Sequence, residues 1–242
     1  MLMKRVVGLT YLALLALPIP AVADDWQWKI TPYLWAAGID GATSIGPIGA
    51  DVSIDFADIV DVLSGGALVR VEAQTDQHGF FGDLVYLSLS EKKARDTIGG
   101  TLGFELDNLI VEGAYYYRWT EKVGLELGLR YWDFQSTLKP TVLPKVTGSS
   151  DWTDGFVGLR FDSAINEKWS WLLRGNVGAG GADLAVGLQL DLRRRNANGN
   201  ELTFGLRVLD VDYSDQGRRL LALPIDLNMS FAGLTVGYAF GL

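Results

Sequence analysis

The feature that most restricts the fold of this chain is an alternation of apolar with polar or small residues along most of its length. Between residues 182 and 195, the apolar positions are Leu184, Val186, Leu188, Leu190 and Leu192. The positions between them hold Asp183, Ala185, Gly187, Gln189, Asp191 and Arg193. Because successive side chains of a β-strand point to opposite faces, each such segment predicts a strand with one apolar face. Alternating segments of roughly ten residues favour a transmembrane β-barrel, and a soluble β-sandwich would carry fewer glycines and arginines on its polar face.

The lengths of the connections predict the topology. Short polar connections occur at 76–79, 120–122, 164–167 and 196–199. They alternate with mostly longer ones at 40–65, 91–106, 136–150 and 214–224, and with a short link at 180–181. Outer-membrane barrels have short periplasmic turns and longer outside loops. We therefore predict an all-β fold, a single closed antiparallel transmembrane β-barrel of about ten strands, with eight or twelve as alternatives.

The ten predicted strands cover 26–39, 66–75, 79–90, 107–119, 122–135, 151–163, 168–179, 182–195, 200–213 and 225–240. A barrel of twelve strands would need 50–56 and 97–106 to cross as well. That arrangement would place long connections on the periplasmic side, so we prefer ten strands.

Residues 1–23 have the three parts of a secretory signal peptide. Lys4 and Arg5 give a positive start, residues 6–17 are mostly apolar, and Ala21-Val22-Ala23 offers small residues at a cleavage site. A membrane-anchor helix is the alternative, but the apolar run is short for a bilayer and no basic flank follows it. We predict a signal peptide over 1–23 and an outer-membrane barrel domain over 24–242.

The composition narrows the classes of partner. The chain has no cysteine, so its stability must come from burial and hydrogen bonding without disulfides. Its net charge is -8, and loss of Lys4 and Arg5 with the signal peptide makes the remainder more acidic. This excess of negative charge argues against nucleic acid as a partner.

Tryptophan and tyrosine collect near the ends of the predicted strands. Beside the short connections and the N-terminal end of the first strand are Trp26, Trp28, Trp119, Trp169 and Trp171. Beside the 136–150 connection are Tyr131, Trp132 and Trp152. We interpret both groups as residues of a membrane interface, where the ring is apolar and its N–H or O–H contacts water. The alternative is that they are ordinary core residues.

Six stretches of the sequence resemble segments of known proteins. They are Trp26-Gln27-Trp28, Thr31-Pro32-Tyr33-Leu34-Trp35-Ala36-Ala37-Gly38, Phe56-Ala57-Asp58-Ile59-Val60, Gly82-Asp83-Leu84-Val85-Tyr86, Gly128-Leu129-Arg130-Tyr131 and Asp154-Gly155-Phe156-Val157-Gly158-Leu159-Arg160. Together they resemble a family of small proteobacterial outer-membrane β-barrels that are often called porin-like. The resemblance covers nearly all of the chain after residue 23. It implies a barrel fold and almost nothing about activity.

The C-terminal segment resembles the assembly signal of outer-membrane barrels. Leu234, Val236, Tyr238 and Phe240 alternate there, although the chain departs from the signal by ending Phe240-Gly241-Leu242. The apolar phase shifts by one residue between Phe231 and Leu234, which predicts a β-bulge at Ala232-Gly233.

The inward face of the predicted strands carries equal numbers of acids and bases. The acids are Glu72, Glu112, Glu126, Asp154, Asp162, Asp183, Asp191 and Glu201. The bases are Lys29, Arg70, Arg118, Arg130, Arg160, Arg174, Arg193 and Arg207. A ten-strand barrel has a narrow interior that side chains nearly fill, and an unpaired buried charge costs on the order of several kcal/mol.

We therefore predict a lumen charge network and a mostly occluded barrel. Arg118, Arg130, Arg160 and Arg174 are expected to pair with Glu112, Glu126, Asp154 or Asp183. A narrow polar channel is the alternative, whereas a wide ion-selective pore would favour one sign of charge.

The single histidine bears on the enzymatic alternative, since the known outer-membrane enzyme families use a histidine near the active centre. His78 lies in a predicted short turn, and the nearest serines in the sequence, Ser88 and Ser90, lie most of a strand away. A nucleophile and its base must be within hydrogen-bond reach. We predict no catalytic residue and no cofactor.

The 40–65 connection contains one amphipathic segment. Phe56, Ile59, Val60 and Leu63 have helical spacing, which predicts a short helix over or in the barrel mouth. The acids of this connection are Asp51, Asp55, Asp58 and Asp61. They lack the dense spacing and the glycine of a calcium loop, so we expect a solvated acidic face and no metal site.

These features predict a non-catalytic outer-membrane β-barrel with a structural or narrow small-solute permeation role. The first alternative is a surface-interaction barrel, for adhesion or ligand binding, that acts through 40–65 and 136–150. A lipid-acting outer-membrane enzyme is the second alternative. The expected partners are outer-membrane lipid and lipopolysaccharide, and during biogenesis the barrel-assembly machinery and periplasmic chaperones.

Overall fold

The structure, a computed structural model, describes residues 26–45, 48–95, 101–140, 146–214 and 225–242. The signal peptide predicted over 1–23 lies outside these residues. The described elements are β1 (Gln27–Ile45), β2 (Ile48–Ile54), α1 (Phe56–Val62), β3 (Leu63–Gln74), β4 (His78–Arg95), β5 (Thr101–Arg118), β6 (Val123–Pro140), β7 (Val146–Ala164), β8 (Trp169–Gly180), β9 (Leu184–Arg195), β10 (Glu201–Ser214) and β11 (Ile225–Gly241). No helix in the described ranges is long and apolar enough to cross a membrane.

The strands close into an antiparallel barrel. From β3 to β11 each strand pairs with its neighbour in the sequence, and β11 pairs with β1. β1 also pairs with β3 through Gln27–Pro32. The prediction of a closed ten-strand barrel is confirmed. β2 lies outside the closure because it pairs with the Ile39–Ile45 half of β1.

The strands extend further than predicted at one end of the barrel. We call the end with the long connections the loop end and the opposite end the turn end. β4 to β7 contain 18 or 19 residues, whereas β8 and β9 contain 12. A membrane-crossing strand needs about 9–11 residues, so the extra residues of β4 to β7 project beyond the barrel wall. Much of the predicted 91–106 and 136–150 connections is therefore strand.

The outer face of the barrel is apolar. Leu34, Leu127 and Leu129 are exposed by 72%, 64% and 63% on the outside of the wall. In β9, Leu188 and Leu190 are exposed whereas Gln189 between them is buried. A continuous exposed apolar belt is unfavourable in water and is the surface that transmembrane barrels present to lipid.

The inner face at the loop end is apolar too, and this overturns two sequence interpretations. β11 pairs with both neighbours without a register shift, so the β-bulge predicted at Ala232-Gly233 is wrong. Phe231 points into the barrel and Leu234 points outward, so the apparent phase shift marks a change of face. Trp132 and Trp152 are also buried inside, and their interpretation as interface residues is wrong.

Candidate functional site

Two sets of side chains fill the lumen. The first set, which we call the charge network, occupies the middle of the barrel and its turn end. It contains Arg70, Glu72, Asp83, Glu112, Glu126, Arg130, Arg160, Arg174, Asp191 and Arg207. The second set, the aromatic plug, lies toward the loop end and contains Trp35, Trp132, Phe134, Trp152, Tyr213 and Phe231.

Glu112 on β5 is one centre of the charge network. The Nε of Arg130 donates to its carboxylate at 2.9 Å, and the Nη2 of Arg174 donates at 3.1 Å. The Nη2 of Arg207 lies 3.9 Å from the same group. The Nε of Arg174 also donates to Glu126 at 2.9 Å. These guanidinium groups come from β6, β8 and β10, so the contacts span the lumen.

Asp83 on β4 is a second centre. The Nε of Arg70 donates to Asp83 at 2.9 Å, the Nη1 of Arg207 donates at 3.3 Å, and the hydroxyl of Tyr33 donates at 2.6 Å. The sequence prediction does not include Asp83, because both faces of the strand around it are apolar. Its position in the alternation identifies Asp83 as an inward residue. Asp83 lies on the same face of β4 as buried Phe81, and exposed Tyr86 lies on the other face.

Neutral amides join the charged groups. The Nη2 of Arg70 donates to the Oε1 of Gln189 at 2.9 Å, and the Nε2 of Gln189 donates to Asp191 at 2.7 Å. The Nη2 of Arg130 donates to the Oδ1 of Asn176 at 2.7 Å. Hydrogen bonds to the remaining polar atoms help to offset the cost of burying a charge. These amides supply such bonds, whereas the Nη1 of Arg130 is buried with no hydrogen-bond partner among the described residues.

At the turn end the pairing differs from the prediction. Arg160 binds Glu72, with the Nη1 donating at 3.0 Å, and it also binds Asp162. Arg118 donates to the amide oxygen of Gln74 at 2.8 Å. The expected pairing of Arg118 and Arg160 with Glu112, Glu126, Asp154 or Asp183 is therefore wrong. The Nη1 of Arg193 lies 3.5 Å from the Oδ1 of Asp162.

Two predicted members of the network have other surroundings. Asp154 is fully buried, but it accepts hydrogen bonds from the indole Nε1 of Trp152 at 3.1 Å and from the backbone N–H of Ala182 at 2.7 Å. It therefore fixes the β8–β9 turn to the aromatic plug. Asp183 is exposed in that turn and accepts a hydrogen bond from Ser214. Its prediction as an inward residue is wrong, because β9 begins one residue later.

The guanidinium groups also stack on inward aromatic rings. Arg174 lies 3.8 Å from the ring centroid of Phe81, and Arg130 lies 5.1 Å from that of Phe156. Cation–π contacts of this kind are stronger when the partners are desolvated. The rings therefore hold the arginines where they meet the carboxylates.

The aromatic plug is packed ring against ring. Trp152 stacks on Tyr213 with centroids 4.2 Å apart and on Trp132 at 5.5 Å. The indole N–H groups of Trp35 and Trp132 are buried with no hydrogen-bond partner in the described ranges. Burying an unbonded N–H is unfavourable. The favourable contribution of these two tryptophans to the plug therefore comes from the packing of their rings.

Little free space remains around the charge network. A cavity of about 30 Å³ lies among Lys29, Tyr33 and Arg70, and one of about 10 Å³ lies beside Arg130 and Arg207. The larger one has room for about two water molecules. The arrangement can exclude solutes from the lumen and position charges there.

The other candidate sites lie outside the lumen. His78 lies on the outer face at the turn end, where its Nδ1 is 2.6 Å from the hydroxyl of Tyr115. The helix predicted within 40–65 is α1, and its Ile59 belongs to the buried hydrophobic cluster that contains the plug residues. No group of three or more His, Asp or Glu side chains that could hold a metal ion occurs among the described residues.

Comparison with known proteins gives matches to solved structures. No family model and no curated protein matches the chain. Ail, the attachment invasion locus protein of Yersinia pestis, in complex with the heparin analogue sucrose octasulfate, is 10% identical with a TM-score of 0.43, over 89% of this chain and 98% of that chain. The transport unit of the Escherichia coli autotransporter AIDA-I is 8% identical with a TM-score of 0.41, over 95% and 93%. The Pseudomonas putida toluene transporter TodX is 10% identical with a TM-score of 0.31, over 90% and 90%. These structures are outer-membrane β-barrels of proteobacteria, and the likeness concerns the fold alone.

Proposed function

We propose that this protein is a non-catalytic outer-membrane β-barrel of a Gram-negative cell, with a structural role and a lumen closed to solutes. The observation that carries the proposal is the pair of barriers in the lumen. A solute entering from the loop end meets the stacked rings of Trp152 and Tyr213, and beyond them the arginines that share Glu112. A narrow permeation role would require both barriers to open.

The apolar belt and the unequal ends support the membrane location. The belt gives lipid an apolar surface around the closed barrel. Outer-membrane barrels have short turns on the periplasmic side and longer loops on the extracellular side. In this proposal the turn end is therefore periplasmic and the loop end is extracellular. The protein would be exported by the signal peptide over 1–23, with Asp24 as the first residue of the secreted form.

Conductance and fractionation test this function. The refolded protein in planar bilayers of phosphatidylethanolamine and phosphatidylglycerol is expected to give no stepwise ion currents. Stable steps from the unmodified protein would favour the narrow permeation role instead. The protein should fractionate with the outer membrane and show heat-modifiable gel migration, whereas recovery as soluble periplasmic protein would contradict the membrane location.

The projecting strands favour a second candidate function, a surface interaction at the loop end. β6 and β7 remain paired as far as Leu138 and Val146, well beyond the point where β8 ends at Gly180. A paired hairpin of this length offers a rigid surface outside the membrane. Adhesion to immobilised matrix proteins should decrease in cells that display a variant lacking 137–147, with unchanged heat-modifiable migration. Equal adhesion would exclude this hairpin as the binding element.

A further inference from the structure

A groove crosses the outer wall of the barrel between β4 and β9. The side of the groove nearer the loop end is a row of successive cross-strand neighbours on β5, β6, β7 and β8, namely Gly113, Leu129, Gly155 and Ala179. Three of these four residues have at most a methyl group as side chain. The groove has a volume of about 970 Å³, which is at the upper end of the roughly 300–1,000 Å³ range of small-molecule pockets.

The side of the groove nearer the turn end is a second row of cross-strand neighbours, and its side chains are aromatic or aliphatic. Phe80, Tyr115, Leu127, Val157 and Val177 pair in succession from β4 to β8. Phe80 lies two residues from the start of β4 at the turn end, whereas Ala179 is one residue from the end of β8 at the loop end. Because barrel strands are tilted, the groove runs obliquely from one edge of the apolar belt to the other.

The outward glycines of the groove are not required by the packing of the barrel. A Cβ atom at Gly155 would have no neighbour within 4 Å, and one at Gly113 would have its nearest neighbour at 4.0 Å. The inward Gly128 differs, because a Cβ there would lie 2.3 Å from the ring of Phe156. Glycine within a strand is unfavourable and often marks the close approach of a ligand. The open space over Gly113 and Gly155 is such a place.

Polar groups stand at the turn end of the groove. Tyr115 is 36% exposed, its hydroxyl lies 2.6 Å from the Nδ1 of His78, and the two rings stack with centroids 5.9 Å apart. Trp26 lies 5.8 Å from Phe80 beside them. Such aromatic and hydrogen-bonding groups gather at the level of lipid headgroups, and the rest of the groove is apolar.

We propose that this groove seats an acyl chain of a phospholipid of the inner leaflet, with its headgroup beside His78 and Tyr115. This inference rests on the proposed function, in which the turn end is periplasmic. The groove is continuous with the lipid-facing belt, so lipid is the molecule that reaches it. A flexible chain fills a narrow groove, whereas a second barrel presents a convex wall that contacts Leu127 and Leu129 first.

The test fills the groove without disturbing the fold. Gly113→Leu and Gly155→Leu are combined in one variant, and Ala232→Leu is the matched control, since Ala232 is exposed on β11, five strands round the barrel from β6. Each protein is inserted into vesicles of phosphatidylethanolamine and phosphatidylglycerol, released into mild detergent and analysed by native mass spectrometry. The full-length unmodified protein and the control should retain one phospholipid per barrel. Retention by the double variant should fall about tenfold, the effect of losing roughly 1.4 kcal/mol of contact free energy.

Several results would overturn the proposal. Equal retention by all three proteins, or no retention by the unmodified protein, would show that the groove holds no lipid. A dimer of the unmodified protein that disappears in the double variant would assign the groove to a second copy of the chain. Heat-modifiable migration checks that each variant is folded. A failure of the proposed function is distinguishable, because stepwise currents in planar bilayers or recovery as soluble periplasmic protein would contradict it, and neither measurement depends on lipid retention.

Discussion

Glu112 is the residue at which the charge network is most easily tested. Arg130, Arg174 and Arg207 all approach its carboxylate, which is almost fully buried. Glu112→Gln preserves the shape of the side chain and removes the charge that these arginines share. The free energy of unfolding should fall by about 3–5 kcal/mol, as expected for a buried pair that loses one partner. Urea unfolding in lipid vesicles, followed by tryptophan fluorescence, measures this change.

The control for Glu112→Gln is Glu121→Gln, because Glu121 is exposed in the turn between β5 and β6. Its effect should stay within about 0.5 kcal/mol, as is usual for surface substitutions. If both variants lost the same small amount, the carboxylate of Glu112 would be screened by water and the network would not stabilise the barrel.

Individual ion pairs could be predicted where the partners are cross-strand neighbours. Glu112 and Arg130 face each other on β5 and β6, so alternation and strand order are enough to bring them together. Arg160 and Glu72 lie on β7 and β3 and meet across the lumen. That contact depends on the closed shape of the barrel and the reach of the arginine, neither of which is encoded in a local pattern.

Among the side chains of helix α1 whose surroundings the structure describes, Ile59 is the buried one. Ile59 is 6% exposed and belongs to the buried hydrophobic cluster that contains the plug residues, whereas Phe56 of the same helix is 43% exposed. Removal of a buried isoleucine side chain costs about 2–5 kcal/mol. Ile59→Ala should therefore increase hydrogen exchange at 56–62 by roughly 30-fold or more, since about 2 kcal/mol of local stability is lost. Phe56→Ala is the matched control, and an equal increase there would show that Ile59 does not anchor the helix.

The strands illustrate what alternation can and cannot predict. Lipid outside and charges inside give each crossing segment a strong contrast between its faces, so all ten crossing strands are recognisable. The sequence loses this contrast at the loop ends of β4 and β7, where Glu91–Arg95 and Val146–Ser150 do not alternate apolar with polar residues, so alternation does not predict these ends. At the plug the inner face is apolar as well, and Phe231 consequently resembles a lipid-facing residue.

In the proposed function the aromatic plug and the charge network are two barriers in series, so a current must pass both. Trp132→Ala with Trp152→Ala opens the plug but leaves the arginines around Glu112 in place. Glu112→Gln loosens the network but leaves the stacked rings at the mouth. In planar bilayers each change alone is expected to give no stepwise current, whereas the triple variant should conduct. Its current should favour anions, because the loss of one carboxylate leaves the lumen positive.

The outcome separates three arrangements of the lumen. Conduction by the tryptophan variant alone would mean that the charge network is permeable and that the plug is the only effective barrier. Conduction by Glu112→Gln alone would assign the barrier to the network. A triple variant that keeps heat-modifiable migration and does not conduct would contradict the series arrangement. Trp132→Leu with Trp152→Leu provides a milder opening of the plug if the alanine variant does not fold, and the same expectations apply to it.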